Sequence, residues 1–374
     1  MNVRKELPSL ALMVLFCLIV AAAALLLVPS PTHLALLDEP VILWELDTGY
    51  VNEWGEPELL TVTAYTVCIA ASAVAAVALT ALLSRLYGRS FAQGAATAAL
   101  SGLLALLGAH WLYCALQWGN LVADCVATAA FPLQFWKGCY TMYGAILGAL
   151  LGGVVSAKLQ KLSVGRVMDM LIPGMLIVLI VGRLGEFYTS EGIASQTATE
   201  AFKFLPFRKP DWRGDNYLAV NAYEAFVGCA ALLAVAGVLL CRKPAGRASE
   251  AGLTIVSAGQ IVLESLRNDN AIDLANHSFV HWNMIAAAVT LAFIFVTRVV
   301  RRVRCQGWKA WETVRIILFA LGCGVVVLME FAIGGKINAL ANVSELALYI
   351  TEALAATAMM LSVVIGDGRV KEAQ

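Results

Sequence analysis

Residues 167–192 read VMDMLIPGMLIVLIVGRLGEFYTSEG. From Met170 to Val181 the run carries no charge, and it then breaks into Gly182, Arg183, Gly185 and Glu186. A helix needs about 20 mostly apolar residues to cross the hydrocarbon of a bilayer. The stretch 167–184 therefore reads as a membrane-crossing helix that ends in a polar turn between glycines. Working outward, similar apolar runs fall near 8–29, 59–84, 93–118, 139–157, 219–240, 251–266, 280–298, 313–333 and 344–365. The run 251–266 is the shortest signal, because Gln260 and Glu264 interrupt it. Composition agrees: 60% of the 374 residues are hydrophobic and 14% are charged, against about 25% charged in soluble domains. The expected fold class is an all-α polytopic membrane protein of about ten transmembrane helices.

Lys and Arg mark the cytoplasmic turns. Basic residues precede the first run (Arg4, Lys5), then follow every second helix: Arg85 and Arg89; Lys158, Lys161 and Arg166; Arg242, Lys243 and Arg247; Arg298, Arg301, Arg302, Arg304 and Lys309; Arg369 and Lys371. The alternate connections lack this bias. Segment 30–58 holds seven acids and no Lys or Arg. The pattern closes with both termini cytoplasmic and the 30–58 and 185–218 loops outside. The first run is expected to be an uncleaved anchor, since its apolar core exceeds the ~7–15 residues of a signal peptide and no clean small-residue site follows.

The net charge is zero, which gives no basic field for nucleic acid. The nine cysteines form no Cys-x-x-Cys pair and no cluster with histidine. No metal or cofactor is expected. Cys125 and Cys139 could pair across an external loop.

Polar residues inside membrane segments are costly and mark paired or functional positions. Arg183, Glu186 and Glu191 follow one another at the external end of the 167–184 run. Tyr223 and Glu224 open the next helix. Gln260, Glu264 and Arg267 recur at i, i+4 and i+7, on one helix face. Tyr65 and Tyr143 lie near the starts of their helices. The topology puts all of these at the external side and Asp169 at the cytoplasmic end. The guanidinium fork suits a phosphate, and phospholipid headgroups supply phosphate at that depth. Plainer readings stand beside these. Arg183 could snorkel to the headgroups; Glu264 with Arg267, or Glu224, could be structural ion pairs; Tyr65 and Tyr143 could belong to an interfacial belt. Gly144, Gly148, Gly152 and Gly153 read as close helix packing. Glu330 and Glu352 read as locally paired, and His110 as a satisfied core group.

The segment VGRLGEFYTSEG resembles the signature of the prolipoprotein diacylglyceryl transferases, GRxGNFxNxExxG. Upstream, Asp169 and Pro173 repeat that family's spacing to Gly182, Arg183, Gly185 and Phe187. WKGCYTMYGA (136–145) is similar to the family's WDGGMSFHGG, and TAYT (63–66) to its HWYG. NAYEA (221–225) is similar to QLYEA, and AGLTIVSAGQIVLESLRND (251–269) to SGLFLLGYGxxRFxxExxR. The order is the family's, over about residues 60–300.

The resemblance implies a seven-helix transferase-like core over 59–304. It is preceded by an extra helix and acidic external loop (1–58) and followed by two extra helices (305–374). It implies transfer of a diacylglyceryl group from phosphatidylglycerol, or a related anionic phospholipid, to the cysteine thiol of a preprolipoprotein lipobox. The setting would be the bacterial cytoplasmic membrane, with the active site facing the outer leaflet. By the same likeness, Arg183, Glu186, Glu191 and Tyr143 would be catalytic. Tyr65, Tyr223, Glu224, Gln260, Glu264 and Arg267 would bind substrate. The sequence departs from the family at several positions: Tyr143 stands where the family has histidine, Glu186 for its asparagine, Ala194 for a glycine, Gln260 for an arginine and Val256 for a tyrosine. The alternatives are a non-catalytic lipid- or lipoprotein-binding paralogue and, with less in its favour, a small-anion transporter.

Overall fold

The computed structural model describes residues 41–51, 57–123, 131–134, 140–189, 202, 205–210, 216–241, 244–267, 273–274 and 277–364. Among them are nine helices: α1 (Ala64–Leu86), α2 (Phe91–Ala123), α3 (Met142–Leu159), α4 (Val164–Gly185), α5 (Val220–Leu240), α6 (Arg247–Ser265), α7 (Trp282–Gln306), α8 (Ala310–Ile333) and α9 (Glu345–Val364). Each matches one apolar run. The run 8–29, Glu191, Cys125 and Cys139 lie outside the described residues. Eight of the nine helices are long and apolar enough to cross a membrane. The protein is an all-α polytopic membrane protein.

The ninth helix, α6, fails that criterion because it carries too many polar residues, and these point inward. Ser249, Thr254, Ser257, Gln260 and Glu264 are all buried. Their neighbours satisfy them in place of water, as the membrane interior requires.

The hydropathy reading needs one local correction. Residues 42–51 and 57–63 form two strands, β1 (Ile42–Val51) and β2 (Pro57–Thr63), paired antiparallel. The apolar run beginning at residue 59 thus starts as strand, and the sequence-based boundary at 58/59 falls inside β2. The β-branched Thr61, Val62 and Thr63 favour the pleat. Thr63 then ends it by capping α1, its Oγ1 accepting from Thr66 N at 3.2 Å. Two further short antiparallel pairs are β3 (Arg208–Pro210) with β4 (Asn216–Leu218) and β5 (Asp273–Leu274) with β6 (His277–His281).

Helix α4 is the central post and packs on α1, α3, α5 and α6. Its buried Ile172, Leu176, Ile177 and Ile180 join Ala222, Ala225, Leu232 and Val235 of α5 in the main core. The glycine stripe of α3 does what its spacing suggests. A Cβ on Gly148 would lie 2.0 Å from Leu104 O of α2, and one on Gly144 would lie 2.4 Å from Gly108 O. Only glycine permits this approach.

Charged residues at one end of the bundle hold it together. Asp169 of α4 caps α6, accepting from Gly246 N at 2.6 Å and Ser249 N at 2.9 Å. A carboxylate there also meets the positive end of the α6 dipole. Glu250 bridges Arg298 at 2.8 Å and Arg301 at 3.2 Å. Arg315 pairs with Glu312 at 2.7 Å and donates to Ser362 O at 2.7 Å. Arg298 donates to Val363 O at 2.9 Å. Two arginines therefore satisfy the last carbonyls of α9, which lipid could not.

Candidate functional site

The opposite end of the bundle gathers the C-termini of α4 and α6 with the N-termini of α1, α3, α5, α7 and α9. Arg183 is in the last turn of α4. Its NH1 donates to Glu186 Oε1 at 2.6 Å, and its Nε stands 2.8 Å from Glu224 Oε2. Asn221 Nδ2 donates to the Arg183 carbonyl at 3.0 Å, closing one of the orphan acceptors of that helix end. The remaining arm, NH2, contacts Met142 Sδ at 3.8 Å. A thioether is a weak acceptor, so this arm is the one a stronger anion can take.

Glu224 is almost fully buried and joins three elements. Its Oε1 accepts from Gln260 Nε2 at 2.8 Å and lies 3.4 Å from Arg267 NH1. Gln260 Nε2 also donates to Glu264 Oε2 at 2.6 Å. Gln260 and Glu264 of α6 thus turn toward Glu224, and Arg267, two residues past the helix end, meets the same carboxylate. Glu264 is fully buried. Asn283 Nδ2 donates to its Oε1 at 3.1 Å, and His281 Nδ1 lies 3.1 Å from its backbone carbonyl. Among Arg183, Arg267, Glu186, Glu224 and Glu264 there are two guanidiniums and three carboxylates. Glu186 is the most exposed of the three acids, at 21% against 2% for Glu224 and 0% for Glu264.

The tyrosines divide. The Tyr65 ring lies against Gly185, where an added Cβ would meet Cδ2 at 3.1 Å; glycine there lets the ring cover the signature turn. Tyr143 is buried at the start of α3, its hydroxyl beside Ser257 of α6 and on the Glu224 and Glu264 side. Tyr223 turns elsewhere: its hydroxyl donates to Pro206 O and its ring stands edge-on to Phe207. Adjacent helix residues project about 100° apart, so Glu224 can enter the site while Tyr223 secures the preceding segment. The residue before β1 is tied to this end, Val41 N donating to Tyr188 O at 3.0 Å.

Sequence reading did not single out Asn221, His281, Asn283 or Ser257. Asn221 stood within the quoted NAYEA. The signal for His281 and Asn283 was two polar residues at the edge of an apolar run, which also fits an ordinary helix start.

Residues 57–300 match the family model described as prolipoprotein diacylglyceryl transferase. The chain belongs to the prolipoprotein diacylglyceryl transferase family. Curated relatives carry the name phosphatidylglycerol–prolipoprotein diacylglyceryl transferase. That of Oceanobacillus iheyensis is 30% identical over 145 residues, 36% of this chain and 50% of the relative. That of Shouchella clausii is 29% identical over 178 residues, 44% of this chain and 60% of the relative. That of Bacillus licheniformis is 28% identical over 183 residues, 45% of this chain and 62% of the relative. The matched stretches therefore span about half to three fifths of these relatives. As a member of a bacterial diacylglyceryl transferase family with eight membrane-length helices, the chain is a multi-pass bacterial membrane protein. All the described site residues of this family member fall within the matched segment; α8 and α9 lie beyond it.

Proposed function

We propose that this protein transfers the diacylglyceryl group of phosphatidylglycerol to the cysteine thiol of a preprolipoprotein lipobox. The observation that carries the reading is Arg183, held by Glu186 and Glu224 at one end of the bundle with its NH2 arm on a weak acceptor. The chemistry asks for three things. The lipid and peptide must be held in line, charge on the departing phosphate must be neutralised, and a thiol of ordinary pKa near 8.5 must lose its proton. Arg183 holds the phosphate, with Arg267 reinforcing the positive field. Glu186 takes the thiol proton. The thiolate then attacks the glyceryl carbon, a C–S bond forms as the C–O bond to phosphate breaks, and glycerol 1-phosphate leaves. The proton passes from Glu186 to the phosphate, since both contact the same guanidinium.

Tyr143 occupies the family's histidine position. Its burial and a phenol pKa near 10 fit it to hydrogen bonding rather than proton abstraction at neutral pH. Glu191, which the signature resemblance also marks, is the second candidate base. The alternation of basic turns supports an outer-leaflet site with both termini cytoplasmic.

A second reading, a lipid- or lipoprotein-binding paralogue without transfer, draws support from the same Tyr143 and from the neutral Gln260. One experiment separates them. Purified protein in phosphatidylglycerol vesicles is given a lipobox peptide and the peptide is weighed. A mass gain of one diacylglyceryl group, absent in a Cys→Ser peptide, upholds transfer. No gain with tight peptide or lipid binding upholds the paralogue.

A further inference from the structure

Helices α8 and α9 lie beyond residue 300, the last residue of the family match, yet α9 reaches the candidate site. Ser265, the last residue of α6, directly follows Glu264. Two α9 side chains hold it. The Ser265 hydroxyl proton is shared between Val262 O at 2.7 Å and Glu352 Oε2 at 3.1 Å. The Ser265 carbonyl accepts from Tyr349 OH at 3.2 Å. Tyr349 and Glu352 are three residues apart, so they share a face of α9. Both are themselves fixed. Glu352 is fully buried and faces Glu330 of α8, and the Tyr349 ring stands edge-on to Phe202 at 5.4 Å. Burying Glu352 in an apolar bundle is costly. A leucine would anchor α9 without that cost, so packing alone does not account for a carboxyl here.

The position of that contact gives it a use. Glu264 is the end of the string Glu224–Gln260–Glu264, whose first member holds Arg183. The last turn of a helix frays because its carbonyls lack partners. Here His281 takes the Glu264 carbonyl and Tyr349 takes the next one. We propose that Tyr349 and Glu352 are positioning residues. Acting through Ser265, the C-terminal helix pair fixes the final turn of α6 and thereby sets Glu264 and the Arg183 anion site. The inference rests on reading that site as the place of reaction.

The test uses the full-length protein in phosphatidylglycerol vesicles with Glu352→Ala, Glu352→Gln and Tyr349→Phe. Small displacements of positioned groups cost up to about 100-fold in rate. Glu352→Ala should lower kcat roughly 10- to 100-fold with KM within about threefold. Glu352→Gln, whose amide oxygen still accepts from Ser265, should restore most of the rate. Tyr349→Phe should fall between them. Amide exchange at Ser265–Arg267 should quicken in Glu352→Ala and Tyr349→Phe, with the rest of α6 unchanged. Wild-type kcat in Glu352→Ala overturns the proposal, as does a loss that merely tracks a lower Tm. If the wild type proves not to transfer lipid, exchange decides alone. Faster exchange confined to that turn upholds the positioning role, and unchanged exchange overturns it, whatever becomes of the transferase reading.

Discussion

Arg183 Nε and Glu224 Oε2 meet at 2.8 Å across the α4–α5 junction, while the other oxygen of the same carboxylate takes Gln260 from α6. One buried carboxylate thus fixes the orientation of the guanidinium from two helices. That orientation presents the remaining NH2 arm toward Met142 on α3. A merely snorkelling arginine has no need of a buried partner, so the geometry speaks against simple snorkelling of Arg183.

Arg183→Ala removes the NH2 arm proposed to take the phosphate. Hydrogen bonds to charged groups contribute roughly 1.5–3 kcal/mol each, so anionic phospholipid retained through purification should fall at least tenfold. Arg183→Lys should recover only part of it, because a point charge cannot keep Glu186, Glu224 and a phosphate together. Lipid content by mass spectrometry is the measurement. If lysine matched wild type and alanine lost only yield, Arg183 would be an anchor.

Glu186→Gln keeps the shape of the side chain and removes the base. Transfer to a lipobox peptide should drop by about 100-fold or more, the usual scale for a lost general base, with lipid binding retained. Tyr143→Phe removes one buried hydroxyl and should cost less than about tenfold. The reverse ranking in single-turnover assays would move the base to Tyr143.

Asp169→Ala leaves the Gly246 and Ser249 amides without their acceptor. A lost helix cap of this kind costs about 1 kcal/mol, up to about 2. The Tm in detergent should fall, and Asp169→Asn should restore part of it. Activity per folded molecule should hold, because Asp169 is at the far end of α6 from Glu264. A normal Tm in the alanine variant would remove the cap from the stability account.

Gly148→Leu should prevent accumulation of the folded protein. Its Cβ alone would sit 2.0 Å from Leu104 O, and backbone cannot give way there. Gly102→Leu, where an added Cβ meets nothing within 4 Å, should express normally. Equal yields of both variants would show that α2 and α3 can separate without loss.

A reporter fused after Arg89, Lys161 or Arg302 should read as cytoplasmic, and one within 200–215 as external. An external signal at Lys161 would invert the proposed orientation of the site.

Much of this architecture was legible in the sequence because lipid imposes a simple rule. A chain must satisfy its backbone internally and show apolar side chains outward, so spans of the right length declare themselves. Nine of the ten expected runs are helices here, and the tenth lies outside the described residues. Period and spacing also placed Gln260 and Glu264 on one face of α6, and Gly144, Gly148 and Gly152 on one face of α3. The strand pair β1–β2 was not legible, because a window of hydropathy cannot tell an apolar strand from the first turns of a helix.

Sequence alone determined the membrane fold and the order of its helices, since these depend on composition and local periodicity, and it marked Arg183, Glu186, Glu224, Gln260, Glu264 and Arg267 as costly polar residues without their partners. Tertiary structure decided which of those polar groups meet. Arg183 chooses Glu186 and Glu224, Arg267 joins Glu224, Tyr223 turns to Pro206, and Ser265 is held by Tyr349 and Glu352 of the C-terminal helix. Such pairings depend on how helices rotate and cross, and a single helix's sequence carries no record of the neighbour it will face.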